Sequence, residues 1–207
     1  MSIIKLNNNG VKNATAFGSI TGLGSMVFIK KLTASSSATL SFVDGSSGVV
    51  LDNTYKEYLF TFKNIHPQNN SSSEFTFNMS TDSGSNYNTT KTTTHFIAQH
   101  AEDDSYASLE YRSSGDLAQS TNFQQITADV GNDNDQNLGG YLHLFNPSST
   151  TFVKHFTSTI NFSQPSDYSV VSHVAGYGNT TSAVDAIQFK FSSGNIDSGD
   201  ICLYGIA

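Results

Sequence analysis

The chain has 207 residues and a net charge of −7, with only 13% charged and 37% hydrophobic residues. Disordered chains of such polarity normally carry much more charge, whereas here Ser, Thr, Asn and Gly take the place of charged residues. A nucleic-acid-binding surface needs clustered basic residues, but Arg112 is the only arginine and no basic run is longer than Lys30–Lys31. We therefore expect one folded domain with a substantial core, and no nucleic-acid partner.

Alternating apolar and polar residues predict about a dozen β-strands, because a strand turns successive side chains to opposite faces of its sheet. No long apolar run has the spacing of a helix. In chain order, the predicted strands are Ile3–Leu6, Met26–Leu32, Ala38–Val43, Tyr58–Phe62, Glu74–Met79, Thr94–Gln99, Ser108–Arg112, Phe123–Val130, Tyr141–Phe145, Phe156–Phe162, Tyr168–Ala175, Ile187–Phe191 and Ile201–Ile206.

Turn-forming residues separate these strands, as in Asp44–Gly48 and Ser192–Asn195, where Gly, Asn and Asp close hairpins at little cost. The three prolines, Pro67, Pro147 and Pro165, each lie at a predicted strand end, as expected of a residue that cannot donate to a β-ladder. Many short strands separated by turns predict an all-β fold. We expect a jelly-roll-like antiparallel β-sandwich of about twelve strands with little or no helix.

The sequence predicts a single jelly-roll domain over residues 26–207, preceded by an N-terminal arm or strand region over residues 1–25. That region is polar and glycine-rich, so we expect its order to come from a neighbouring subunit. No apolar stretch approaches the roughly 18 residues of a membrane helix, and no basic segment precedes an apolar block. We therefore expect no membrane association and no secretory signal, with synthesis in the cytoplasm.

The sequence contains no convincing active site. It lacks the Gly-x-Ser-x-Gly elbow, a phosphate-binding loop and a dinucleotide-binding fingerprint. Its six histidines show no metal-ligand spacing, and the single cysteine, Cys202, excludes an internal disulfide and a cysteine-based zinc site. The acidic cluster Glu102–Asp104 has two interpretations, paired carboxylates of a glycosidase or an ordinary solvated loop. We expect a protein that is not an enzyme and needs no cofactor.

An acidic loop offers a weak candidate for a Ca²⁺ site. Asp133, Asp135 and Asn137 place hard oxygen ligands at alternating positions, which suits Ca²⁺. However, the glycine and the closing glutamate of an EF-hand loop are missing. The alternative interpretation is a solvated turn between two strands.

Two tyrosines in polar surroundings are candidates for glycan contacts. Tyr87 lies in Ser-Asn-Tyr-Asn, and Tyr177 lies in Gly-Tyr-Gly-Asn. Lectin-like sandwiches stack an aromatic ring on a sugar and hydrogen-bond its hydroxyls with Asn and Asp. The alternative interpretation is that these tyrosines cap hairpins and strand ends.

Several ordered elements carry a resemblance to a known family. Tyr55–Pro67 ends in Asn-Ile-His-Pro, and Phe75–Asn88 contains a strand and the pattern Ser-x-Asp-x-Gly-x-x-Tyr. Ala186–Ile206 combines an alternating strand, the turn Ser-Gly-Asn-Ile and a last strand ending Leu-Tyr-Gly-Ile. In this order, these elements resemble a family of tailed-phage virion proteins, especially those of marine phages. The resemblance extends over most of Tyr55–Ile206 and implies a jelly-roll module with no catalytic residue to transfer.

The resemblance implies a non-enzymatic structural protein of the virion, made in the host cytoplasm. We expect a capsid decoration (cement) protein or tail-fibre subunit, a homotrimer that contacts capsid or tail proteins. The alternative is a tail receptor-binding protein that binds or depolymerises a host surface glycan. We expect the intermolecular contacts in residues 2–25 and in the loops Asp82–Tyr87 and Gly131–Gly139.

Overall fold

The computed structural model describes residues 26–69 and 73–207, which form twelve β-strands and no helix. The predicted strand Ile3–Leu6 and the predicted arm lie outside the described residues. The strands are β1 (Met26–Ser37), β2 (Leu40–Val43), β3 (Glu57–Pro67), β4 (Glu74–Ser80), β5 (Lys91–Ala101), β6 (Ala107–Tyr111), β7 (Gln124–Asp129), β8 (Leu138–Phe145), β9 (Lys154–Gln164), β10 (Tyr168–Gly178), β11 (Ala186–Phe191) and β12 (Ile196–Ile206).

The strands form two antiparallel sheets that pack as a sandwich. The larger sheet has eight strands in the order β1-β12-β3-β8-β9-β10-β5-β6, and the smaller has four in the order β2-β11-β4-β7. The first and last described strands, β1 and β12, are neighbours in the larger sheet. The predicted all-β sandwich is therefore confirmed. Within the described residues, no helix is long and apolar enough to cross a membrane.

Alternation decides which side chains of each strand enter the core. In β9, the buried positions recur at every second residue: Lys154, Phe156, Ser158, Ile160 and Phe162. The intervening side chains point to the outer face of the sheet. β3, β5 and β10 show a similar alternation over most of their length, which is why the sequence pattern located these strands.

Several strands are longer than predicted, and β12 and β5 are two whose polar ends are paired with a neighbouring strand. β12 begins at Ile196, five residues before the predicted start, and pairs with β3 across two register shifts. Gly199 lies inside this irregular stretch at φ +115°, where a Cβ atom would lie 2.4 Å from the carbonyl oxygen of Asn64. β5 begins at Lys91 rather than Thr94, because Lys91, Thr92 and Thr93 pair with the end of β10.

A cluster of phenylalanine rings lies in the interior between the two sheets. Phe189 of β11 lies at its centre, with its ring centroid 5.3–6.4 Å from those of five others: Phe42, Phe60, Phe62, Phe75 and Phe77. All six side chains are at most 4% exposed. Most of these rings meet edge-to-face or tilted, the arrangements that aromatic quadrupoles favour.

Candidate functional site

A shallow groove of about 340 Å³ crosses β5, β10 and β9 on the outer face of the eight-stranded sheet. Strand register brings its residues together. Ala175 of β10 lies between Thr94 of β5 and Thr157 of β9, and the next outward residue, Tyr177, lies between Thr92 and His155. The groove exists because the small side chain of Ala175 is surrounded by larger ones.

The walls of the groove combine rings and hydroxyl groups. The ring centroids of His155 and Tyr177 are 5.9 Å apart and form one wall. The Thr92 hydroxyl accepts a hydrogen bond of 2.6 Å from the side-chain amide of Gln119. The Tyr177 hydroxyl has no hydrogen-bond partner among the described residues. A groove with an apolar floor, an aromatic wall and the unpaired Tyr177 hydroxyl suits a neutral ring-shaped ligand such as a sugar.

No carboxylate lines this groove, whose nine lining residues are threonines, small or apolar residues, His155 and Tyr177. Glycoside hydrolysis ordinarily needs two carboxyl groups facing the same bond. The groove therefore has the composition of a binding surface and lacks the groups for that reaction.

Tyr87 lies elsewhere, in the connection between β4 and β5, and does not line the groove. Its ring covers Gly84, and its carbonyl accepts a hydrogen bond of 2.7 Å from the side chain of Asn78. In the same turn, Asp82 accepts hydrogen bonds from Asn86 and Ser80, which lower the pKa of its carboxyl to about 2. The two tyrosines predicted from their surroundings are thus separate, and only Tyr177 lies in a groove.

The acidic loop between β7 and β8 is held by the buried side chain of Gln136. This side chain accepts a hydrogen bond from the Asp133 backbone N–H at 3.3 Å and donates to the carbonyl of Gln164 at 3.2 Å. Asp133 and Asp135 are exposed, and the predicted contact loop ends early, since β8 begins at Leu138. No three His, Cys, Asp or Glu side chains converge within the described residues, and Ca²⁺ binding at Asp133, Asp135 and Asn137 stays a prediction.

The other acidic cluster, Glu102–Asp104, forms the exposed turn between β5 and β6. Asp103 accepts a hydrogen bond from the backbone N–H of Ser105, and these contacts with Ser105 lower its carboxyl pKa. Asp104 contacts His100 at 3.0 Å. The cluster therefore forms a solvated turn, which was the second of the two interpretations of its sequence.

A strip of buried polar side chains runs along the inward face of β5: Lys91, Thr93 and His95. Lys91 is completely buried, and its ammonium donates to the side-chain oxygen of Asn78 and, at 2.7 Å, to the carbonyl of Thr89. No described carboxylate pairs with it. Burial lowers the pKa of Lys91 to about 7, because the charged form loses its hydration without gaining a counter-ion.

His95 and Ser172 form a hydrogen-bonded pair at 2.9 Å between the sheets. Burial lowers the pKa of His95 to about 4, and nearby Arg112 adds to the effect, so the imidazole is neutral at pH 7. The pair has the residue types of a base and a nucleophile, but both side chains are at most 1% exposed. The sequence did not reveal it, since serine is too common here and the two residues lie on different strands.

Comparison of the chain with protein-family models, with curated proteins and with solved structures found no match.

Proposed function

We propose that this protein is a non-enzymatic structural protein of a virus particle, a capsid decoration or fibre subunit that acts through protein–protein contacts. The observation that carries the proposal is a set of large apolar side chains exposed on the eight-stranded sheet. Phe28 is 57% exposed on β1, and Leu109 and Tyr111 are 74% and 56% exposed on β6. Clustered exposed apolar residues on a folded protein are typical of surfaces that contact other macromolecules.

These residues form two patches at opposite edges of the sheet. The β1 patch is exposed Met26 and Phe28 with half-buried Tyr204, whose ring meets Phe28 edge-to-face, and the β6 patch is Phe96, Leu109 and Tyr111. Seven strand spacings of about 4.8 Å put the two edges roughly 34 Å apart. A subunit with separate contact surfaces on two sides can bridge neighbours in a shell or a fibre. The resemblance of Tyr55–Ile206 to phage virion proteins supports the same proposal.

The β1 patch is the surface that we assign to the neighbouring virion protein. It begins at Met26, where the predicted N-terminal arm joins the domain. The homotrimer and the contacts of residues 2–25 implied by the resemblance are part of this proposal. The resemblance covers decoration proteins and fibre proteins alike. The number of copies per particle therefore distinguishes a position on the capsid from a position on the tail.

We expect purified particles of the encoding virus to contain this chain, measured by quantitative mass spectrometry of intact virions. Copies on the order of hundreds place it on the capsid, because shells repeat their subunits by symmetry, and about ten place it on the tail.

Phe28→Glu is expected to weaken rebinding to particles that lack the chain at least about tenfold. Phe152→Glu is the matched control, because Phe152 is 68% exposed outside both patches. Absence of the chain from particles would contradict the proposal.

The groove beside Tyr177 favours a second candidate function, a receptor-binding protein for a host surface glycan. The supporting observation is the His155–Tyr177 wall with its unpaired hydroxyl, set over the apolar floor at Ala175. A sugar ring that stacks on Tyr177 would gain the aromatic contact and the hydroxyl hydrogen bond together.

If this second function holds, Tyr177→Ala weakens binding to polysaccharide of the host surface about tenfold or more, equivalent to ~1.4 kcal/mol. Isothermal titration calorimetry measures the change, and Tyr87→Ala serves as control because Tyr87 lies outside the groove. No reducing ends should appear, since no carboxylate lines the groove. Equal affinity of the wild type and Tyr177→Ala would rule out the groove as the site.

A further inference from the structure

We propose that β6 pairs antiparallel with β6 of a second copy of this chain, so that two eight-stranded sheets become one continuous sheet. This contact is two-fold and isologous, and it does not depend on the virion assignment. It also leaves the β1 patch free for the partner proposed above.

The backbone of β6 has an unpaired side. Arg112 N–H donates to the His95 carbonyl and Ala101 N–H to the Tyr106 carbonyl, each at 2.8 Å. Antiparallel pairing alternates along a strand, so the even-numbered residues of β6 bond to β5. The N–H and C=O groups of Ala107, Leu109 and Tyr111 therefore point away from the sheet. β6 ends the strand order, and no other described strand covers them. Such a row of free groups is a template for another strand.

The opposite edge of the sheet carries lysines and a bulge, which discourage pairing and which β6 lacks, although β6 has five residues and includes Glu110. β1 carries Lys30 and Lys31, and its pairing with β12 is irregular between Phe28 and Lys30. Lysines and bulges are devices by which edge strands avoid pairing with other chains. β6 contains no lysine or proline and pairs with β5 without a register shift.

An apolar surface adjoins the free edge. Leu109 and Tyr111 lie on the outer face beside Phe96, which is 42% exposed and directly opposite Tyr111. In a register centred on Leu109, this leucine lies beside its own copy, and the two β6 patches become one. Pairing would thus cover Leu109, the most exposed large apolar side chain of the described residues.

The charges of β6 select this register. If the two strands are centred on Leu109, Glu110 lies opposite Ser108 of the other copy. The free N–H and C=O groups of Ala107, Leu109 and Tyr111 in each strand are then all paired. Centring on Glu110 would set two glutamates face to face, which is destabilising. The chosen register also brings Arg112, whose Nε has no hydrogen-bond partner among the described residues, opposite Tyr106 of the other copy, which follows the acidic turn Glu102–Asp104. This complementarity favours a second copy of the chain as the occupant.

The test is the molar mass of the full chain, 22.3 kDa per copy, by size-exclusion chromatography with light scattering at about 50 µM. We expect an even number of copies, and we expect Leu109→Lys to halve the mass, from dimer to monomer or from hexamer to trimer. Leu109 is exposed, so the lysine is tolerated within one copy. Phe152→Lys, an equally exposed position away from β6, should leave the mass unchanged. A monomeric wild type, or an unchanged mass for Leu109→Lys, overturns the proposal.

Backbone hydrogen exchange gives a second measurement. In the wild type, the amides of Ala107, Leu109 and Tyr111 should exchange at least about tenfold more slowly than in Leu109→Lys, because only pairing with a second copy protects them. Equal exchange rates would contradict the pairing. Mass spectrometry of virions tests the virion proposal, whereas molar mass and hydrogen exchange test the β6 contact. Failure of one proposal is therefore distinguishable from failure of the other.

Discussion

Replacing Phe189 with alanine is expected to lower the free energy of unfolding by about 4 kcal/mol, the largest single effect among these predictions. Phe189 is completely buried, and its ring contacts five other phenylalanines drawn from both sheets. Loss of the ring removes apolar burial and leaves a cavity that the surrounding strands, fixed by their hydrogen bonds, cannot fill. Urea denaturation followed by fluorescence or circular dichroism measures the change as a lower midpoint at the same slope.

Phe152→Ala is the matched control for this substitution. Phe152 is 68% exposed in the connection between β8 and β9, so its truncation should change stability by no more than about 0.5 kcal/mol. A loss below about 1 kcal/mol for Phe189→Ala would mean that the rings do not form the centre of the core.

Lys91→Met is expected to stabilise the protein at pH 6 and to lose that advantage as the pH rises. Burial lowers the pKa of Lys91 from 10.5 to about 7. Between these values, the unfolded chain binds more protons than the folded one, so wild-type stability rises with pH from about 7 to about 10.5. Below pH 7, the burial penalty is complete and amounts to roughly 5 kcal/mol at 1.36 kcal/mol per pKa unit.

Methionine removes that penalty but also removes two hydrogen bonds, to Asn78 and Thr89, worth about 1 kcal/mol each. We therefore expect a net gain of about 3 kcal/mol at pH 6 and a net loss near pH 10. Urea denaturation of both proteins across this range shows whether their stability curves cross. Lys63→Met provides the control, because Lys63 is exposed on β3 and its replacement should shift stability equally at every pH. Parallel curves for Lys91→Met would show that Lys91 is not buried as a charge.

Lys91 also shows why the sequence could not reveal the buried polar side chains of β5. A lysine at the start of an alternating strand is normally assigned to solvent, because burying an unpaired charge is costly. Its ammonium is held by the nearby Thr89 carbonyl and by Asn78, and Asn78 reaches it only after β4 and β5 have taken their positions. His95 and Ser172 meet for the same reason, across the register of β5 and β10.

Some residues of the groove could likewise be identified from the sequence, and others could not. Tyr177 was identifiable because an aromatic residue between glycines in a polar segment is unusual for a strand. His155, Thr92 and the floor at Ala175 were not, because they lie on three strands whose order along the sheet is not written in any one segment. Tyr87 has equally polar surroundings, yet its ring covers Gly84 instead of lining the groove.

By itself, the sequence determined that this protein is an antiparallel β-sandwich, because alternation with period two depends only on local side-chain direction. Turn residues and prolines likewise marked where most strands end. Only the tertiary structure decided that β12 lies between β1 and β3, that phenylalanine rings cluster around Phe189 while polar side chains of β5 are also buried, and that β6 is left as an open edge. The physical reason is that alternation assigns a residue to a face, whereas pairing partners are chosen by contacts between residues distant in the chain.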